Sequence, residues 1–425
     1  HGTPEFHPKS HTEYLDIKDV NMFIPTIDES GKCTWRHVEA VTRHFPEGKL
    51  VKVTTQSGRT VTATQAMSFL VWDGEKFTPT NGSDIKTGDI LPTTANKQAF
   101  KTQTDYFNLR NIFPPNRYLY TTEIIKSRNY KSNWDEHNGR DFVLPCKCTC
   151  LTKYKEYFSN CEEGLVYIHT SNSFLSHYQE NVKLDNDFGF FVGIYLAKGW
   201  VTKTFLGISN VDDAIRKRMT DYCNRFGFTY YTVSTDLKIH STLLTRMFKI
   251  ICDTGFANKK VPDFAYTAPR EFILGLLDGY FSGDGTVNKN TGYVTATSDS
   301  KNLIYGIAEL VTYFGIFGKI SLMQNNETLQ YSHCLNITNG FARKFAEQVK
   351  LTKADKQERL ATITLSKKYK YSRGKNQEKF PQTDVYFDPI ISIEFVEGTT
   401  EFGYDFTVEG TRNFQLWNGL NMRDT

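Results

Sequence analysis

Two stretches, FGFFVGIYLAKGW (188–200) and FILGLLDGYFSGDGTV (272–287), repeat one pattern and fix the organisation of the middle of the chain. Each runs from an apolar helical segment through small residues to a glycine followed by a short strand pattern. Aligning GIYLAKG (193–199) with GYFSGDG (279–285) sets Lys198 opposite Asp284, so one copy ends in an ammonium and the other in a carboxylate. The match continues through GWVTK (199–203) and GTVNK (285–289), and then through helices that end in RFGF (225–228) and YFGI (313–316). A duplicated helix–strand–strand–helix unit follows. Small residues at one-turn spacing let two such helices approach closely along a pseudo-twofold seam, which brings their C-terminal ends together. One copy alone would also read as an ordinary buried helix closed by glycine, with a lysine favoured by the helix dipole. Two copies with matching flanks argue against that reading.

Two acids meeting at such a seam bind divalent cations through oxygen ligands, and ions beside a scissile phosphate activate water and stabilise the leaving oxygen. The two motifs resemble those of the LAGLIDADG homing endonucleases, in the single-chain form found inside inteins. KKVPD (259–263), TSDS (297–300) and VKLDND (182–187) resemble the flanking stretches of the same family. The resemblance implies one metal-binding acid from each helix, Mg2+ as cofactor, and four-stranded sheets lying along the major groove of a long duplex DNA site. It carries over to Asp284 as a catalytic metal ligand and fails at Lys198, the position of the lost acid. A lysine there removes an oxygen ligand and sets a cation beside the ion site. The expectation is DNA binding with greatly reduced double-strand cleavage, a nick at the strand served by Asp284 being the residual reaction. DNA contacts are expected from Lys203, Arg216, Lys217, Arg218, Lys289, Lys301 and Lys319, on phosphates and a few base edges. The alternative for each is a solvated face.

Before residue 100 the pattern is all-β: KLVKVTT (49–55), a turn at QSG (56–58), RTVTAT (59–64) and SFLVW (68–72). Beyond 380 it returns in IISIEF (390–395), GYDFTV (403–408) and NFQLW (413–417). A β-domain split by a long insertion accounts for both flanks. These ends resemble the Hint fold of inteins. In RTVTATQAMSFL (59–70), Thr64 holds the place of the family threonine and Met67 that of the histidine three residues on. In YDFTVEGTRNF (404–414), Asp405 is retained and Arg412 replaces histidine, while Arg423, Asp424 and Thr425 stand where the family has His, Asn and Cys, Ser or Thr. Splicing in that family starts with an N-terminal Cys or Ser attacking its own preceding carbonyl and ends with cyclisation of the terminal Asn. HGTP (1–4) offers no such nucleophile, methionine cannot transfer a proton, and arginine polarises an oxygen but is a poor general base. Aspartate at 424 would support only slow cleavage; Thr425 keeps the family role of downstream nucleophile. Natural divergence and deliberate substitution both account for these replacements.

The expected fold class is therefore α+β multidomain: an all-β Hint-type splicing domain split by an inserted pseudo-twofold αββαββα-repeat LAGLIDADG endonuclease domain. The expected boundaries are 1–100 and 380–425 for the splicing domain and 181–370 for the endonuclease, with repeats at about 181–265 and 266–355. Residues 101–180, which interleave Tyr106, Arg110, Arg117, Tyr118, Tyr120, Lys126, Arg128, Tyr130 and Lys131, read either as an extension of the DNA footprint or as a Hint elaboration or linker. At 425 residues the chain is too long for one ordinary core. A net charge of +4 permits nucleic-acid binding without proposing it. No apolar run suits a membrane span and no signal pattern opens the chain, so an intracellular (cytoplasmic or nuclear) monomer, partnered by DNA and host exteins, is expected. The spacing of Cys146, Cys148, Cys150 and Cys161 makes a poor zinc chelate, and Cys33, Cys223, Cys252 and Cys334 read as isolated core residues.

Overall fold

A computed structural model describes residues 3–8, 11–46, 48–113, 119–120, 164–168, 176–209, 211–324, 330–365, 375–398 and 402–424. Thr425, the Cys146–Cys161 cluster and Arg117 to Lys131, apart from the backbone of Leu119 and Tyr120, lie outside them. The chain divides into two compact units, one of residues 1–101, 285–349 and 358–425, the other of 102–284 and 350–357.

In the first unit the two ends of the chain share sheets. Strand Cys33–His44 pairs antiparallel with Thr12–Asp16 and Phe23–Ile27 on one side of the sequence and with Gly403–Val408 from the far end. Strand Val385–Val396 pairs with Ile90–Thr94 through its first half and with Leu50–Thr55 through its second. Period-two alternation sends Val51, Val53, Leu91, Ile390, Val408, Phe414, Leu420 and Met422 into one core. Each such side chain contributes about 1.5–3 kcal/mol on burial. Because the core draws on both ends, neither half closes it alone, and the split β-domain forms as expected.

The same unit holds the second repeat's strands Gly285–Asn288, Tyr293–Ser298, Tyr331–Ile337 and Lys319–Gln324, hydrogen-bonded in that order, with helices over Lys301–Thr312 and Asn339–Gln348. A fully buried arginine joins this sheet to the β-domain. Arg59 Nε donates to the Asn418 carbonyl (2.7 Å), and Nη1 donates to Ser57 Oγ (2.9 Å) and the Gly318 carbonyl (3.1 Å), with the guanidinium over the Phe317 ring. Asp388, also fully buried, accepts from the Ser57 amide and hydroxyl and from Thr93 Oγ1. A second buried pair, Lys97 with Glu309, receives Gln415 Nε2 at 2.8 Å. Gly58 has φ +81°, and a Cβ there would lie 1.8 Å from the Ile320 carbonyl oxygen, so the contact requires glycine.

The second unit carries helices α1 (Asn186–Lys198), α2 (Asp213–Arg225), α3 (Thr242–Cys252) and α4 (Arg270–Gly283). Its four-stranded sheet runs Gly199–Val201, Phe205–Ile208, Asp236–His240, Thr229–Val233, the same spatial order as the sheet of the second repeat. The chain thus runs helix, two strands, helix, two strands, helix, twice over. Asp185, Asp212 and Ser241 cap α1, α2 and α3 by accepting from the amides of Phe188, Ile215 and Leu244. The matched Phe-Gly pairs share a geometry: Gly227 (φ +68°) and Gly315 (φ +64°) end their helices in the left-handed region, and the amides of Phe228 and Ile316 return to the carbonyls of Cys223 and Val311. Among the described residues no helix is long and apolar enough to cross a membrane.

Candidate catalytic centre and splicing cleft

Helices α1 and α4 pack along their glycines. A Cβ on Gly189, Gly193, Gly275 or Gly279 would lie 2.0–2.3 Å from a backbone carbonyl oxygen of the facing helix, those of Phe272, Leu276, Asn186 and Phe190 respectively. Backbone therefore meets backbone, which carries both helix ends to the same place. Lys198 and Asp284 meet there, with Nζ 2.5 Å from Oδ1 and side chains 34% and 27% exposed.

Beneath each helix end sits a buried lysine. Lys259 Nζ donates to the carbonyls of Tyr195, Leu196 and Gly199 at 2.8–3.1 Å. Lys356 Nζ donates to the carbonyls of Phe281, Ser282 and Gly283 at 2.9–3.1 Å. These are the orphan carbonyls every helix leaves at its C-terminus, and an ammonium is the complementary charge. Burial lowers both lysines to about 8, and Asp284 acts against that lowering in each. In the sequence Lys259 stands only within the stretch that flanks the second motif, and no motif marks Lys356.

The residues at this centre do not fit a divalent cation. Among the described residues one carboxylate, Asp284, stands at the helix ends and is paired with an ammonium; two further ammonium groups lie within electrostatic reach, and the Asp355 carboxylate near Lys356 is offset by Lys353. Among the described residues no group of three or more His, Cys, Asp or Glu could hold a metal ion.

The expected DNA contacts are dispersed. Lys203 and Lys289 are exposed at turns. Arg216 and Lys217 lie on α2 and pair with Asp213 and Asp221 of the same helix. Arg218 donates to Asp278 (2.6 Å), Thr352 (2.9 Å) and Asn186 (2.5 Å) and lies over the Phe190 ring, so it clamps α1, α2 and α4. Lys301 lies over the rings of Tyr305 and Trp417, and Lys319 over that of Tyr386. One face of the second unit's sheet gathers residues that charge counting missed: Lys238 lies over the Trp200 and Tyr231 rings, and Phe205 packs on Tyr231 and His240.

In the first unit a cleft of about 800 Å3 is lined by Glu39, Met67, Thr407, Arg412, Arg423 and Asp424, among others. Four of the splicing positions expected from sequence thus come together. Asp424 accepts from the Val408 amide (3.1 Å) and pairs with Arg423 (3.2 Å), while its own amide donates to the Arg412 carbonyl (3.2 Å). Burial raises the Asp424 carboxyl, against the Val408 amide and Arg423. Arg412 adopts φ +49°, turning the chain into the cleft, and Arg423 Nη1 donates to its carbonyl. Met67, half exposed, offers no proton. Thr64 is half-buried with its hydroxyl 3.3 Å from Ser68 Oγ, and the buried Asp405 accepts from the Phe406 amide at 2.8 Å.

A β-domain closed by both chain ends, with a cleft at its last strand, is the setting for the comparison with known proteins. The chain belongs to the intein splicing domain family, which it matches over residues 8–422. It is 26% identical over 99% of its length to the DNA-directed RNA polymerase subunit Rpo1C of Methanocaldococcus jannaschii, covering 51% of that protein. It is 23% identical over 96% of its length to a DNA polymerase of Thermococcus litoralis, covering 29%. The chain therefore spans about half or less of these curated relatives. Among solved structures, the homing endonuclease I-DmoI in complex with DNA and Ca aligns at 12% identity and a TM-score of 0.32, over 39% of this chain and 90% of that one. An intein from a hyperthermophile aligns at 19% identity and a TM-score of 0.19, over 21% of this chain and 54% of that one.

Proposed function

We propose that this intein carries, in its middle, a LAGLIDADG-type domain that binds a long duplex DNA site but is impaired in cutting it. The observation that carries the reading is the pair of helices packed backbone to backbone, each ending over a lysine-capped set of carbonyls, with position 198 facing position 284. Duplicated geometry of this kind suits a pseudo-twofold ligand such as duplex DNA. The Mg2+-dependent cleavage implied by the family resemblance needs a second acid, and the Lys198 ammonium stands against it. The test is selection of duplexes from a randomised pool, followed by Lys198→Asp. Recovery of a specific duplex, with metal-dependent cleavage gained only by the variant, is expected. Failure to retain any duplex refutes the DNA-binding reading.

We further propose that the cleft at Asp424 is the splicing centre, and that splicing there is slow. Partial coverage of both polymerase relatives supports a segment interrupting a larger host protein, whose exteins are its partners. Arg412 and Arg423 orient Asp424 and polarise oxygens, but no group at 67 or 412 shuttles a proton. Expression between host flanks, followed by mass spectrometry, separates ligated exteins from the precursor; rapid ligation refutes the reading.

A further inference from the structure

We propose that the centre at the ends of α1 and α4 is a metal-free phosphodiester clamp, in which the Lys198 ammonium takes the place of a divalent cation between Asp284 and a DNA phosphate. The inference rests on the DNA-binding reading above and goes beyond lost cleavage, because it assigns Lys198 a positive role.

Charge decides the matter. Three ammonium groups, Lys198, Lys259 and Lys356, stand against one carboxylate at the helix ends, Asp284, and two helix C-termini that each carry about half a negative charge, while Lys353 and Asp355, both within reach of Lys356, cancel one another. The centre is left with about one net positive charge. An acid at 198 would have left about one net negative charge, so the lysine reverses the sign of the local field. A centre of the first kind attracts a phosphodiester monoanion and repels a divalent ion; one of the second kind does the opposite.

Donor geometry assigns the work to Lys198. Lys259 and Lys356 each spend three hydrogen bonds on helix carbonyls, which matches the three donors of an ammonium. Lys198 gives one to Asp284 and is a third exposed, so its two further donors suit a phosphate oxygen reaching it from solvent. Asp284 keeps that ammonium at the seam as a carboxylate would keep a cation. The clamp positions a phosphate and catalyses nothing: no nucleophile is activated, so the DNA is held intact.

The experiment measures binding of the full chain to a duplex that the protein itself selects from a randomised pool, across a salt series, in EDTA and in Ca2+. The expected result is a dissociation constant in EDTA that Ca2+ does not tighten. Lys198→Gln should weaken binding in EDTA and lower the salt slope by about 0.9, the value for one phosphate contact, while Lys198→Arg should retain both. Lys198→Asp should make binding depend on Ca2+. Tightening of the wild-type complex by Ca2+, or an unchanged slope in Lys198→Gln, overturns the clamp while leaving DNA binding standing. Absence of any selected duplex overturns the DNA-binding reading and the clamp with it. Far-ultraviolet circular dichroism of each variant separates loss of contact from loss of fold.

Discussion

Gly193→Ala tests the geometry on which the catalytic centre depends. The added Cβ would lie 2.1 Å from the Leu276 carbonyl oxygen and 2.8 Å from the Tyr280 amide nitrogen, and real Cβ atoms essentially never approach below 3.0 Å. The shortfall of 0.9 Å falls on backbone of the facing helix, which cannot rotate away as a side chain would. The helices must part, and opening at Gly193 also opens the contacts of Gly189, Gly275 and Gly279. Overpacking of this kind costs about 1–3 kcal/mol. Alanine returns about 1 kcal/mol through its higher helix propensity. Lost Cα–H···O contacts between the helices cost about 0.5–1 kcal/mol each, so the net destabilisation is about 2 kcal/mol. A two-unit chain does not unfold in one step, so the assay is native-state hydrogen exchange at the amides of α1 and α4. Exchange should quicken by about 30-fold there. The cycle with Gly279→Ala should be non-additive, because helices already parted for one methyl accommodate the second more cheaply. Equal or slower exchange in Gly193→Ala would refute the close approach and with it the meeting of Lys198 and Asp284.

Three further outcomes follow from the described contacts. Lys356→Met should strip three helix carbonyls of their donor and destabilise the second unit by about 2–4 kcal/mol, read as the same exchange rates around Phe281 to Gly283. Lys259 and Lys356 each sit at about 8 when folded, against 10.5 when unfolded, so above pH 8 the unfolded chain binds more protons and stability rises with pH. Between pH 8 and 9 the gain is about 1 kcal/mol per lysine, absent in the methionine variants. From about pH 9 the thiols of Cys33, Cys223 and Cys252, all raised by burial, oppose this gain, so denaturation at pH 7, 8 and 9 should show wild-type stability rising relative to Lys356→Met between pH 8 and 9, and parallel curves would refute the lowered lysines. Met67→His with Asp424→Asn should raise the rate of extein cleavage or ligation by about 10²–10⁴-fold, the usual return on a positioned proton carrier and a better nucleophile. An unchanged rate would place the defect elsewhere in the cleft.

Much of the fold was legible because repetition and alternation are local signals. The two motifs, their Phe-Gly helix ends and the strand runs at both termini each declare a period, and the structure assembles them as αββαββα repeats and a shared β-core. What was illegible is long-range. Lys259 lies 61 residues beyond Lys198 and Lys356 lies 72 beyond Asp284, so the spacing that relates them across the repeat is broken, and their common role shows only when each reaches a helix end. Arg218 stands in a basic run, RKR (216–218), that reads as a nucleic-acid contact. Its partner Asp278 sits in the middle of an apolar helix, where a carboxylate has no local explanation until Arg218, Thr352 and Ser282 surround it. Arg59, inside a strand-rich block, gives no sign that it will be buried against Gly318 and Asn418.

These same hidden contacts separate position 198 from the scaffold that presents it. Lys259, Lys356, Arg218 and the glycine seam fix where the helices end, and their hydrogen bonds and backbone contacts are made without the residue 198 side chain, which reaches the two buried lysines only through its charge. A lysine there pairs with Asp284 in a place the scaffold has already built, at side chains about a third exposed, where a surface pair contributes at most about 1 kcal/mol. Replacing it with an acid changes the sign of the centre's charge, forfeits only that surface pair and favours the ammonium form of the two buried lysines. That independence is why Lys198→Asp is informative: a gain of metal-dependent chemistry would come from one altered charge on an intact seam, and its absence could not be blamed on a collapsed one.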